Sequence, residues 1–293
     1  EMSAPVFVCI GYGEVGRTFA EALVESGADV RSYDTRFSPF GEGAALAPLD
    51  DDNRITTGSL DTVLQGADLI LSMVTTSVAG QVAADCAGYL SKGQTFIDMN
   101  STHPDVKRAL QPVIEPTGAV LIEAAVLGLI AATGARTRTL LTGLGAEKTA
   151  EILNEHGLHC EAYEGGIGSA STFKLLRSVF SKGVEAVLLE TMLAARKAGL
   201  EEDVRAEIRG SFEQVPFQDM AESWMKSHAA ACRRRRDEMV QVTEMLEGMN
   251  VVPVMTRATT ALFDRSCDIE LDQAFAEPPE DSDAVLSVIE DGT

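Results

Sequence analysis

The 293-residue chain has no apolar run long enough to cross a bilayer. The longest, Ala124–Ala132, is interrupted by a glycine and falls well short of the roughly 20 residues a spanning helix needs. No basic residue precedes the apolar Val6–Ile10, and a glycine turn follows it, so the start does not have a signal peptide's pattern. Cysteines are few and unpaired in spacing. Cys9, Cys86, Cys160, Cys232 and Cys267 are odd in number and scattered, which excludes a disulfide framework and points to reduced thiols in a cytoplasmic protein. Positive charge is scarce too: 24 Lys and Arg against 45 Asp and Glu give a formal net charge of −21. That excludes a nucleic-acid platform, whose affinity comes largely from neutralising phosphates. Arg233–Arg236 is the one basic run, and it reads as a helix surface or a local anion site. His156 and His159 straddle Gly157 with no further ligand nearby, so no metal site is expected.

What is present is a regular alternation of short apolar runs and helical patterns. Val6–Ile10 reads as a strand, and Gly11-Tyr12-Gly13-Glu14-Val15-Gly16 follows at once. A helical segment to Ser26 and a second strand, Asp29–Tyr33, lead to Asp34. Strand, G-x-G-x-x-G, helix, strand and acid is the order of a dinucleotide-binding turn. The first glycine makes the tight turn, the second lets a pyrophosphate approach the backbone, and the third lets helix pack on strand. Asp34, placed to accept from an adenosine ribose, favours NAD; Arg36, two residues on, opens the way to NADP.

Residues 35–52 read as an irregular connection. Further strands are expected near Arg54–Thr57, Asp68–Val74, Thr95–Asp98, Val120–Ala125, Thr139–Thr142 and Leu158–Ala162, with helices between most of them. This implies a doubly wound, mostly parallel sheet whose ligands lie beyond the carboxyl ends of the strands. Val74, Thr75 and Asn100 sit there beside the glycine turn. After Tyr163 strand signals stop. A long helix runs from about Gly168 to Lys197, and helical patterns continue to about Arg265. On the long helix Leu176, Val179, Phe180, Val184, Val187 and Leu188 form an apolar stripe expected to enter a core. Lys174, Ser178, Ser181 and Glu185 lie on the opposite stripe. The expected domains are a dinucleotide-binding unit over residues 1–164, an all-α unit over 165–275 for substrate and dimerisation, and an acidic, disordered tail over 276–293.

Together these pieces resemble the β-hydroxyacid dehydrogenase family, which includes 3-hydroxyisobutyrate and 6-phosphogluconate dehydrogenases, over roughly residues 5 to 270. Gly11–Gly16 is similar to its dinucleotide loop and Asp98–Pro104 to its Asp-x-Ser-Thr segment. Glu123-Ala124-Ala125-Val126-Leu127-Gly128 stands where members carry Asp-Ala-Pro-Val-Ser-Gly, the substrate loop. Gly168–Lys174 matches Gly-x-Gly-x-x-x-Lys, the catalytic segment. The resemblance implies an α/β Rossmann domain, a doubly wound, mostly parallel sheet, joined to an all-α domain by one long helix. It implies Lys174 as catalytic general acid–base and Ser101, Glu123, Leu127, Gly128 and Ser178 at the substrate. The sequence departs from the pattern at Ala170, at Leu127 and at Ser178, which replaces an asparagine, so this pocket is more apolar than one built for a carboxylate.

Ser178 either orients substrate or bonds its own backbone. His103 stands beside the expected nicotinamide loop, and His228 with Arg233–Arg236 lies on a C-terminal helix of the kind that can complete a neighbouring copy's site. The reading is an NAD(P)-dependent oxidoreductase acting on a small hydroxyacid or its oxo form, assembled as a homodimer. An oxidative decarboxylase and a non-catalytic dinucleotide sensor remain open beside it.

Overall fold

The computed structural model describes residues 4–37, 43–49 and 54–292, so most of the expected irregular connection between residues 35 and 52 lies outside the described residues. The chain divides into two compact units, Glu1–Ser178 and Val179–Thr293. The boundary therefore falls inside the long helix, not ahead of it at residue 164 as the strand signals suggest.

The first unit runs β1 (Val6–Ile10), α1 (Glu14–Glu25), β2 (Asp29–Tyr33), β3 (Ala47–Pro48), β4 (Ile55–Thr57), α2 (Leu60–Leu64), β5 (Leu69–Ser72), α3 (Ala79–Ala87) and β6 (Thr95–Asp98). It continues through α4 (Pro104–Ala109), α5 (Gln111–Ile114), β7 (Val120–Val126), α6 (Ile130–Thr133), β8 (Thr139–Thr142), α7 (Ala146–Glu155) and β9 (Cys160–Ala162). The strands form one sheet in the order β3-β4-β2-β1-β5-β6-β7-β8-β9. All pairs are parallel except β3 with β4 and β7 with β8.

Period-two alternation explains the two cores. In β1, Phe7 and Cys9 join Phe19 and Leu23 of α1 and Leu153 of α7 on one face. Val8 and Ile10 join Ile70, Cys86, Phe96 and Leu110 on the other. β1 and β5 are buried on both faces, as a sheet covered by helices on both sides requires. The order reverses between β1 and β5, the switch point at which such sheets bind ligands.

The second unit is helical. It takes up the rest of α8 (Ser169–Ala198), then α9 (Glu201–Gln214), α10 (Phe217–Gly248), α11 (Val254–Asp268) and α12 (Ser282–Asp291). The tail expected to be disordered carries α12. Asp281 caps it by accepting from Ala284 N, Glu222 accepts from Ser282 N and Oγ at 2.7 and 2.6 Å, and Val285 packs into a small core with Cys232 and Leu271. The apolar stripe of α8 is also unlike its expectation. Leu176, Val179 and Phe180 are 66, 73 and 56 % exposed, and Val184, Val187 and Leu188 are exposed as well. Phe180 meets the ring of Phe217 of α10, with the centroids 5.4 Å apart, yet more than half of its side chain stays exposed. Among the described residues no helix is long and apolar enough to cross a membrane. All five cysteines are free and buried, and burial pushes Cys9, Cys86 and Cys160 up to about 12, which leaves them without thiolate character.

Candidate active site

The glycine turn is fixed by space. Gly11 has a φ of +92°, and a Cβ there would meet the Met73 carbonyl oxygen at 2.3 Å; one at Gly16 would meet the Gly11 carbonyl oxygen at 2.0 Å. Both positions are closed to any side chain by the protein itself. Gly13 is different, with no atom within 4 Å of where its Cβ would stand. Among the described residues nothing requires glycine there, which is what a residue reserved for an approaching pyrophosphate should show. No side chain caps the N-terminus of α1, so its first amides remain for a ligand. The turn fits a dinucleotide.

Asp34 stands where the sequence put it, at the end of β2. Its carboxylate accepts from Tyr12 N at 2.7 Å, from Arg36 N at 2.9 Å, and from Arg36 Nε and Nη2 at 2.9 and 2.8 Å. The Arg36 fork beside it holds the Asp34 carboxyl down at about 2. Arg36 also donates to the Tyr12 carbonyl, and its guanidinium lies over Phe37. The acid and the arginine that pointed to different cofactors are thus one ion pair.

The loops after β5 and β6 meet. Asn100 is buried, and its side chain is committed inside the protein: Oδ1 accepts from Val74 N at 2.7 Å, while Nδ2 donates to Ser72 Oγ at 3.1 Å and to Asp98 Oδ1. It braces the loop of Val74 and exposed Thr75, so a direct contact of its amide with a cofactor is corrected to a tether. His103 is exposed and caps α4, accepting from Asp105 N at 3.2 Å.

Lys174 and Ser101 come together. Lys174 Nζ donates to Ser101 Oγ at 2.6 Å across 73 residues of sequence. Partial burial, then the cations of Lys107 and Arg177, hold the Lys174 amine below the usual lysine range. An amine so placed, on a hydroxyl at the carboxyl end of the sheet, can exchange a proton with a bound carbonyl or alcohol.

The other expected substrate residues have partners within the protein. Glu123 is fully buried and cannot touch a substrate. It accepts from Thr142 Oγ1 at 2.9 Å and Ser171 N at 2.7 Å, and from Gly168 N and Ser171 Oγ. A carboxylate facing the unpaired amides that open α8 is favoured by the helix dipole and takes the place of a cap. Leu127 is buried with Ala125, Leu140 and Ala170, against Phe173. Gly128 packs on Thr137, whose methyl a Cβ would meet at 3.1 Å. Ser178 donates to its own helix, to the Lys174 carbonyl at 3.0 Å, as helix serines commonly do. Glu185 pairs with Lys182 at 2.9 Å.

In the second unit, Arg233 pairs with Asp272 at 2.7 Å, and Arg236 pairs with Asp237 and Asp264. His228 meets Ser266 Oγ at 2.9 Å, and both it and Arg235 line a cleft of about 920 Å³ with Trp224, Phe263 and Leu286. Among the described residues no cluster of His, Cys, Asp and Glu could hold a metal.

Two features escaped the sequence reading. Gly168, at φ +101°, packs so closely on the Arg108 guanidinium that a Cβ would lie 2.9 Å from Nε. Lys107 is buried in an ion pair with Asp98. Its signal was legible: Pro104, Lys107, Leu110 and Ile114 recur at helical spacing, which puts the lysine on the inward face.

A doubly wound sheet with a glycine turn at its switch point defines an NAD(P)-binding α/β domain. Residues 7–160, more than half of the chain, match the NAD binding domain of 6-phosphogluconate dehydrogenase, and the chain belongs to that family. Residues 195–266 match a domain of unknown function. A solved protein of unknown function, described as structurally similar to 3-hydroxyacid dehydrogenases, is 32 % identical with a TM-score of 0.59; the match covers 92 % of this chain and 98 % of that one. The mitochondrial 3-hydroxyisobutyrate dehydrogenase of Rattus norvegicus is 25 % identical over 215 residues, 68 % of this chain and 59 % of its own length. A variant of the Myxococcus stipitatus imine reductase, solved with NAD+, has the same fold, with a TM-score of 0.77, 16 % identity and coverage of 99 % and 100 %.

Proposed function

We propose that the protein is an NAD(P)-dependent oxidoreductase that interconverts a small hydroxyacid and its oxo acid or aldehyde, with Lys174 as general acid and base. The observation that carries this is the Lys174 Nζ to Ser101 Oγ hydrogen bond in the loop after β6. The bound cofactor supplies or accepts the hydride; Gly11–Gly16, Asp34 and the Val74–Thr75 loop would hold it. In reduction the Lys174 ammonium gives its proton to the substrate's carbonyl oxygen, and in oxidation the neutral amine takes the hydroxyl proton. Partial burial and the two nearby cations hold the amine below the usual lysine range, which makes its neutral form easier to reach. Ser101 sets the direction of the amine.

Asp34 supports a preference for NAD, since a carboxylate there repels a 2′-phosphate. We further propose a homodimer, because the largely exposed apolar stripe of α8 offers a partner surface and a second copy is the commonest partner.

A spectrophotometric screen of hydroxyacids, oxo acids and imines with NAD(H) and NADP(H) tests the reading. Release of carbon dioxide would instead indicate an oxidative decarboxylase, and tight cofactor binding without any turnover would indicate a sensor. Once a substrate is found, Lys174→Ala should lower turnover at least about a hundredfold, as loss of a general acid–base does, with little change in NADH affinity. Near-normal turnover in a folded Lys174→Ala protein would remove the lysine from the mechanism.

A further inference from the structure

Among the described residues no lysine or arginine other than Lys107 is buried. Its side chain and that of Asp98 are each 1 % exposed, with Nζ 2.7 Å from Asp98 Oδ2. The same ammonium donates to the Asp98 main-chain carbonyl at 2.9 Å. The other carboxylate oxygen of Asp98 accepts from the Asn100 amide, and Asn100 accepts from Val74 N. One unbroken set of contacts therefore runs from α4 through the end of β6 to the loop after β5.

A buried ion pair of this kind adds little stability, because the cost of desolvating two charges roughly cancels their attraction. Well-packed hydrocarbon in its place is often as stable or more so. Stability is thus a poor account of Lys107. Hydrocarbon would not, however, grip the Asp98 carbonyl from beneath the loop of residues 99–102, and it would not leave a cation near Lys174.

Resting on the reading of Lys174 as the proton-handling group, we infer that Lys107 is a positioning residue for it. Tied to both the carboxylate and the carbonyl of Asp98, Lys107 fixes the loop that presents Ser101 Oγ to Lys174 Nζ, and its charge stands near the amine without touching it. The charged groups bearing on Lys174 are Lys107 from α4 and Arg177 from its own helix, both cations. Among the described residues no carboxylate pairs with Lys174, and Asp98 is already engaged by Lys107. Burial and the two cations act in one direction, favouring the neutral amine.

The test needs no substrate. Acetic anhydride labelling of the full chain is followed against pH by peptide mass spectrometry, reading Lys174 with exposed Lys148 as internal reference. Lys107→Met alone strands a buried carboxylate and is expected to fold poorly. The working variants are Asp98→Asn/Lys107→Met and Asp98→Asn/Lys107→Gln, which keep an acceptor for Asn100 and remove both charges. With Lys107 in this role, the labelling midpoint of Lys174 rises by at least about half a pH unit in either double variant, while that of Lys148 stays put. An unchanged Lys174 midpoint in either folded variant overturns the inference. Failure of the catalytic reading shows up separately: a turnover-competent Lys174→Ala protein together with a shifted midpoint would leave Lys107 setting the state of Lys174 in a site where that lysine does no chemistry.

Discussion

The two units of this chain treat apolar surface in opposite ways. In the first, Phe7, Phe19, Ile70, Phe96 and Ile122 are essentially sealed, and even the ionic groups Glu123, Asp98 and Lys107 are buried with partners. In the second, α8 to α11 carry Phe180, Leu189, Trp224 and Leu262 at 56, 68, 52 and 57 % exposure, and the internal clusters are small. A sheet with helices on both faces closes its own core. A set of long helices with no sheet leaves apolar stripes partly exposed. The first unit keeps its large apolar side chains inside, whereas the second leaves many of its own exposed.

That contrast can be broken most severely at Glu123. Glu123→Ala should strand the amides of Gly168 and Ser171 and two hydroxyls in the dry first unit, at a cost of about 3 kcal/mol. Thermal denaturation followed by circular dichroism reads the loss, and a melting temperature within a degree of the parent would contradict a self-contained first unit. Next comes the surface of the second unit. Leu189→Glu adds a charge at a position that is 68 % exposed in the single chain, so folding should be unaffected. If that surface covers a second copy, light scattering at micromolar concentration should show the parent as a dimer and the variant shifted toward monomer. A monomeric parent would remove the proposed assembly.

The smallest effect belongs to the rim of the first unit. Asp34 has its carboxyl lowered to about 2 when folded, against an ordinary carboxylate when unfolded. Its contribution to stability is therefore full above about pH 4 and is lost as pH falls toward 2. Asp34→Ser should flatten that part of the acid profile. It should also leave Arg36 free of its carboxylate, turning relative affinity from NADH toward NADPH in a fluorescence titration. If the parent already binds NADPH as tightly as NADH, Arg36 rather than Asp34 sets the preference.

Much of the first unit was legible because its determinants are local. Period-two runs, glycines at a tight turn and an acid at a strand end act within a few residues, and β1, α1, β2, β5 and β6 fall where that spacing predicts. The long helix and its lysine were legible for the same reason. Partners distant in sequence were not. The fully buried Glu123 reads like a substrate residue until β7 is set beside the start of α8, where its carboxylate meets amides 45 and 48 residues away. Whether the apolar stripe of α8 enters a core depends on what other elements supply against it, and periodicity gives only the stripe. By itself the sequence determined the sheet, the dinucleotide turn and the candidate proton carrier. Only the tertiary structure decided which charges are buried and paired, because burial depends on the many chain segments that pack around a group.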